Sequence, residues 1–241
     1  MKTVLEICQQ AKAASQILPK FSAEQRNLTL LKLAEFLLES SEEIESANQK
    51  DMEEAKKVGV DNAFLDRLFL NRARISLVAE EVRTVAKLPD ALGQKFDARV
   101  LPNGLRVHKQ RVPLGVLAVI YESRPDVTID VAALAIKSGN ALILRGGKEA
   151  LQTNFALVSC IQRALMASGM PREAVELLED PYRKGMQELL TMDAYVDMLI
   201  PRGGAELHTY CRENSRIPVI TGGIGICHLF VDESANLEKA L

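Results

Sequence analysis

The chain has 241 residues, 47% hydrophobic and 26% charged, with a net charge of −2. That length supports one large or two modest domains with a sizeable core, and that balance excludes a general binder of nucleic acid or anionic membrane, so any anion site must be local. No apolar run reaches the length of a bilayer span, Met1 opens onto a mixed polar helix rather than a signal-peptide core, and the four cysteines show no C-x-x-C spacing. The expected setting is the cytoplasm, with reduced thiols.

Residues 1–96 read as helices. Ser22-Ala23-Glu24-Gln25 is a capping box, and Leu30, Leu33, Ala34, Leu37 and Leu38 mark one face of the helix after it. A second helix is expected over 48–57, stopped by Gly59, and a third over 71–85, ending before Pro89. The acidic run 39–54 reads as a solvated helix face. Residues 97–111 then alternate apolar and polar around Pro102-Asn103-Gly104, a hairpin signal. Two mostly polar strands do not stabilise themselves in isolation, so they are expected to lie on another subunit or across a domain edge.

From residue 112 the texture alternates. Apolar runs at 115–121, 141–144, 174–178 and 196–200 read as strands, and 128–138, 148–168, 183–191 and 204–212 as helices, with Gly139 and Gly169 closing the first two. Strands that are apolar without alternation, separated by helices, imply a parallel sheet covered on both faces. The fold class is α/β, a doubly wound parallel sheet with N-terminal helices and a protruding hairpin. Residues 112–226 form its nucleotide-binding-like part, and 227–241 open something further.

Such a sheet places ligands at the carboxyl edge. Three turns fall there: Tyr121-Glu122-Ser123-Arg124-Pro125, Arg145-Gly146-Gly147-Lys148 and Pro201-Arg202-Gly203-Gly204. Neither glycine pair fits G-x-G-x-x-G or G-x-x-x-x-G-K-[ST]. Each still places glycines ahead of a helix, whose free amides and positive partial charge suit a phosphate, and Arg145 and Lys148 add point charges. Further on, Thr221-Gly222-Gly223-Ile224-Gly225 breaks an apolar run so tightly that backbone must approach something closely. Cys227 and His228 are adjacent in an extended segment and point to opposite faces, so they do not make a nucleophile–base pair. Cys160 reads as core, and His208 and Cys211 as surface or packing residues.

The stretches "VPLGVLAVIYESRPDVT", "SGNALILRGGKEALQTN", "DMLIPRGGAELH" and "PVITGGIGICHLFVDES" resemble, in order and spacing, the motifs of the γ-glutamyl phosphate reductase family within the aldehyde dehydrogenase superfamily. The likeness runs the length of the chain. It implies an aldehyde dehydrogenase-like cofactor domain and NADPH-dependent reduction of γ-glutamyl phosphate to glutamate 5-semialdehyde in proline biosynthesis. It puts the superfamily's adenosine-ribose motif on Arg145, Gly146, Gly147 and Lys148, where two cations suit the 2′-phosphate of NADPH. It puts the pyrophosphate turn on Gly203 and Gly204, and Gly222 and Gly223 join the cofactor-binding set.

The superfamily's oxyanion asparagine falls at or near Ser123, a departure that leaves that donor open. Arg124 is a candidate for the substrate carboxylate. Ile220 stands where hydrolytic aldehyde dehydrogenases carry a glutamate that activates water, and an isoleucine there fits reduction of an acyl phosphate through a cysteine thioester. The family's nucleophilic cysteine is expected beyond Leu241, so 227–241 reads as the start of a truncated catalytic domain, no catalytic residue is assigned within this chain and inactivity alone is expected. Residues 97–111 resemble the family's oligomerisation arm and imply a homo-oligomer. Glutamate 5-kinase is an implied partner, with Met1 and the capped helices reading as a true start. Two other readings stand beside this one: a truncated protein that binds nucleotide or phosphate without chemistry, and a phosphotransferase, which would need an acidic magnesium site from Asp126, Asp130 or Asp197.

Overall fold

The computed structural model describes residues 2–179, 183–222, 226 and 228–240. Two reciprocal capping boxes open the chain. Thr3 and Glu6 start α1 (Val4–Ile17), and Ser22 and Gln25 start α2 (Ala23–Glu39). The next helix, α3 (Ser41–Val58), ends on Gly59 in the left-handed conformation, as the sequence predicts, but begins seven residues before the expected start. Its buried stripe is Ser41, Ile44, Asn48, Asp51 and Ala55, too polar for hydrophobic periodicity to detect. A short helix absent from the sequence reading, α4 (Asn62–Leu68), is capped by Asp61, and α5 (Arg72–Lys87) follows.

The solvated reading of the acidic run is corrected at Asp51. Glu42, Glu43, Glu53 and Glu54 face water, but Asp51 is buried. Its carboxylate accepts from the Thr153 amide (2.8 Å), the Thr153 hydroxyl (2.6 Å) and the Gln152 amide (3.2 Å). It thereby caps α7 (Leu151–Ala167), which has no side-chain cap of its own. Burial pushes the Asp51 carboxyl up, against the pull of these donors. Asp51→Ala leaves the donors buried without an acceptor, and a loss of about 3 kcal/mol in urea unfolding is expected. A loss below about 1 kcal/mol would mean that water substitutes for the carboxylate.

β1 (Lys95–Val100) and β2 (Arg106–Gln110) pair antiparallel about a turn in which Gly104 has φ +83°, with a register shift between Phe96 and Arg99. The residues of the two strands are exposed on both faces apart from Val107, which is half-buried. Its local ties are Arg111 over the Phe96 ring at 5.3 Å and a Lys109–Asp97 ion pair at 2.9 Å.

β3 (Val116–Tyr121), β4 (Ala141–Arg145), β5 (Val175–Leu177) and β6 (Met198–Arg202) form one parallel sheet in the order β5-β4-β3-β6. The chain moves outward from β3 through β4 to β5, then returns to β3's other side, so the order reverses between β3 and β6. Val219 extends the β6 side through a parallel bridge to Leu199. α6 (Pro125–Lys137) and α7 pack together, backed by α2, while α1 lies across β3, β4 and β5 with α8 (Arg183–Leu189) against it. The core is continuous from the N-terminal helices into the sheet. α6 begins three residues before the expected start, because Pro125 occupies the helix's first position, where its missing N–H is no loss. β6 runs two residues past its expected end, carrying Pro201 and Arg202 into the sheet.

Candidate functional site

β3 ends at Tyr121, with Arg145 of β4 in register beside Ile120 and Arg202 of β6 beside Tyr121. Two adjoining clefts that share Tyr121 and Glu122 lie over this edge. The first, about 450 Å³, is lined by Ser123, Arg145, Gly147, Lys148 and Glu149 among others. The second, about 630 Å³, is lined by Arg124, Arg202, Gly203, Gly204, His208, Ile220 and Gly222 among others. The expected site residues therefore gather on one edge, at the topological switch point. Gly146 lies beneath the first cleft, and Gly223 and Cys227 fall outside the described residues.

Gly146 sits on a buried polar relay. The Tyr121 hydroxyl and the Thr128 hydroxyl are 2.7 Å apart, and Thr128 donates to Asn154 Oδ1 at 2.8 Å. A Cβ at residue 146 would come within 2.3 Å of Asn154 Nδ2 and 3.1 Å of the Tyr121 ring, so the strand can turn over this network only without a side chain. Burial pushes the Tyr121 phenol up, which leaves it a neutral structural hydroxyl.

The structure corrects the expectation of free helix amides in part. The first pair leads into a short 3-10 turn, Lys148–Ala150, and at the start of α7 behind it the Gln152 and Thr153 amides are taken by Asp51. At the second, Gly204 caps α9 (Ala205–Asn214), and its amide donates to Glu122 Oε1 at 3.1 Å. Only this second helix start opens onto a cleft, and a carboxylate of the chain already sits on it. The expectation of a purely cationic first cleft changes as well. Glu149, one residue past Lys148, lines the same cleft as Arg145 and Lys148, and its Oε2 accepts from Ser123 Oγ at 2.9 Å. The buried Ser123 hydroxyl is thus committed to Glu149.

Arg124 lines the second cleft, and its side chain has no hydrogen-bond or ion-pair partner among the described residues. His208 also lines that cleft, with its Nδ1 shut off from solvent, although the sequence made it a surface or packing residue. Glu122, Glu149 and His208 lie within the quoted stretches, but the sequence assigned none of them a role in a site. The only available signal was their proximity to turns already singled out.

Behind this edge, burial, then the neighbouring Glu81 and Asp126 carboxylates, push Asp130 up to about 6, against the pull of Arg202. The folded state therefore holds this proton more tightly than the unfolded chain, so the associated stability is lost as pH rises from about 4 to about 6. Asp130→Asn is expected to melt above the wild type at pH 7.5, with the advantage vanishing near pH 4. An equal offset at both pH values would show that ionisation is not its origin.

Three cysteines, Cys8, Cys160 and Cys211, are described, and all are buried. Burial raises each thiol, Cys8 to about 12, so none of them is an activated thiolate. Among the described residues no cluster of three or more His, Cys, Asp or Glu could hold a metal ion, and no helix is long and apolar enough to cross a membrane.

The fold and its switch-point clefts define a class, and the family comparison agrees: residues 1–241 match the aldehyde dehydrogenase family, and the chain belongs to it. Within that family it is 55% identical over 238 residues to the γ-glutamyl phosphate reductase of Actinobacillus pleuropneumoniae, covering 99% of this chain and 58% of that protein. The crystal structure of γ-glutamyl phosphate reductase from Thermotoga maritima superposes with a TM-score of 0.91 at 40% identity, over 99% of this chain and 58% of that one. The Saccharomyces cerevisiae enzyme of the same name gives 0.84 at 35% identity, over 99% and 61%. The chain therefore spans a little over half the length of these relatives.

Family membership implies a nicotinamide cofactor, and the residues present fit one. Two adjoining clefts follow the sheet edge, and cations line the first. A Cβ on Gly203 would meet the Glu122 side chain at 2.7 Å, whereas one on Gly204 would make only an ordinary contact with Glu122 at 3.7 Å. The Glu122 carboxylate already occupies an anion position at the α9 amide.

Proposed function

We propose that this chain is the cofactor-binding part of a reductase that converts γ-glutamyl phosphate to glutamate 5-semialdehyde and phosphate, in proline biosynthesis in the cytoplasm, using NADPH. The observation that carries the proposal is the 55% identity, across 99% of the chain, to a protein of that name. The geometry of the two clefts supports it. Lys148, with Arg145 behind it, holds the 2′-phosphate, and Gly146 lets the turn close over its buried relay. Gly203 and Gly204 take the pyrophosphate once Glu122 releases the Gly204 amide. Gly147, Gly222 and Gly223 complete the backbone cradle. When bound, the cofactor supplies the hydride.

The chain's own contribution is binding and protection. Ile220 lines the second cleft at a position where a carboxylate could activate water, and an apolar side chain there spares an acyl-enzyme from hydrolysis. The nucleophile is none of the three described cysteines, and we place it after Leu241. Arg124 takes the substrate's carboxylate, and Ser123 is placed at the substrate's edge of the first cleft. The division into 1–96, 97–111, 112–226 and 227–241 follows the same reading. In it the exposed hairpin is an oligomerisation arm, and glutamate 5-kinase is the partner that supplies the acyl phosphate.

The test pairs binding with turnover. Residues 1–241 should bind NADPH in a fluorescence titration without reducing or oxidising substrate, and the protein at its relatives' full length should oxidise glutamate 5-semialdehyde in the presence of phosphate and NADP. Failure of residues 1–241 to bind either nicotinamide dinucleotide would refute the assignment of both clefts.

A further inference from the structure

A third cleft, of about 290 Å³, opens where α5 meets the first turn of α6, and it shares Arg67 and Arg124 with the second. Its floor is apolar, with Leu70, Val78 and Pro125 buried. Its wall carries both signs of charge, and one charge is already spoken for. Arg74 pairs with Asp66 at 2.6 Å, donates to the Phe69 carbonyl at 2.9 Å and stacks on the Phe69 ring. Arg124 has no such partner among the described residues. Asp126 lines the same cleft, and its Oδ1 has no hydrogen-bond partner among the described residues and is closed to bulk solvent. Glu81, from α5, lines the same space.

A desolvated carboxylate oxygen without a donor is costly, and the exposed, uncommitted Arg124 guanidinium lines the same cleft. Inorganic phosphate would match only the cation and meet Asp126 and Glu81 as like charges. A divalent metal would meet the arginines. One small ligand class carries a carboxylate and an ammonium on a single carbon, and the volume lies at the lower end of small-ligand pockets. We infer that this cleft takes the head group of a free α-amino acid, Arg124 holding its carboxylate and Asp126, with Glu81, its ammonium. The inference rests on the proposed reaction and deepens it: the side chain of a bound glutamyl group would run past Arg124 into the second cleft.

Calorimetry on the chain with three probes tests it. L-glutamate should bind at least about tenfold tighter than glutarate, which lacks the ammonium, and than 4-aminobutanoate, which lacks the α-carboxylate. Asp126→Asn should bring L-glutamate down to glutarate's affinity and leave glutarate unchanged. Arg124→Ala should weaken L-glutamate and glutarate together. Glu81→Gln should act in the same direction as Asp126→Asn but less strongly, and an unchanged thermal melt in each variant verifies folding. Equal binding of glutarate and L-glutamate, no L-glutamate binding up to about 20 mM, or indifference to Asp126→Asn would overturn the site. Selective L-glutamate binding in a full-length protein that shows no reductase activity would instead sink the reaction and leave the cleft standing. Reductase activity whose KM for glutamate 5-semialdehyde ignores Asp126→Asn would do the reverse.

Discussion

Lys148→Glu is expected to raise the Kd for NADPH by about 30- to 100-fold, with a much smaller change for NADH. Lys148 is exposed at the mouth of the first cleft, whereas Arg145 is half-buried, so Lys148 is the more accessible of the two cations to a phosphate. Reversing its sign replaces one charge-assisted contact with a repulsion, a change of about 2–3 kcal/mol in a partly solvated site. Adding Arg145→Ala should deepen the loss. The structure also provides a variant of opposite sign. Glu149 shares the cleft, and Glu149→Gln keeps an acceptor for Ser123 while removing the charge, so NADPH should tighten by a few-fold. Isothermal titration with both dinucleotides at fixed salt decides the matter. If the two lose affinity equally, the 2′-phosphate lies elsewhere.

Gly115→Ala should cost about 3 kcal/mol or more, lowering Tm by roughly 10 °C, because two penalties coincide at one atom. Residue 115 has φ +123°, a conformation open to glycine and costly for an L side chain. A Cβ built there would also lie 2.2 Å from Asp197 Oδ2. That oxygen accepts from the Val116 amide at 2.8 Å, and both Asp197 oxygens accept from Lys12 Nζ at 2.9 Å. The added methyl must therefore displace the carboxylate that ties the start of β3 to α1. Urea unfolding of Gly115→Ala, Asp197→Ala and the double variant separates the two penalties. The double variant should lose less than the sum, because the clash needs both groups. Strict additivity would leave backbone strain as the sole cause.

Much of this molecule is written locally. The parallel sheet announces itself as unbroken apolar runs such as ALIL, bounded by glycines and followed by 3.6-residue periodicity. The two glycine pairs fall at the carboxyl edge because each directly follows a strand. The Ser22–Gln25 capping box and the Gly59, Gly139 and Gly169 stops likewise need only neighbours in sequence to form. These are short-range effects, and the physics that produces them has a range of a few residues.

What the local pattern could not supply is which charges meet. Asp51 reads as one more acid on a solvated helix until α3 lies against α7, when its carboxylate closes on amides 101 and 102 residues away. Glu122 becomes the occupant of α9's N-terminus only through a bond spanning 82 residues, and Glu149 enters the cationic turn by bonding to Ser123 across 26. Arg124 and Asp126 are two residues apart in sequence, yet the cleft they line exists only because α5 packs beside α6. A carboxylate carries no periodicity and no hydrophobic driving force that would betray its partner. Its role is set by the distance and dielectric of whatever the packed core brings opposite it, and those quantities exist only once the chain has folded.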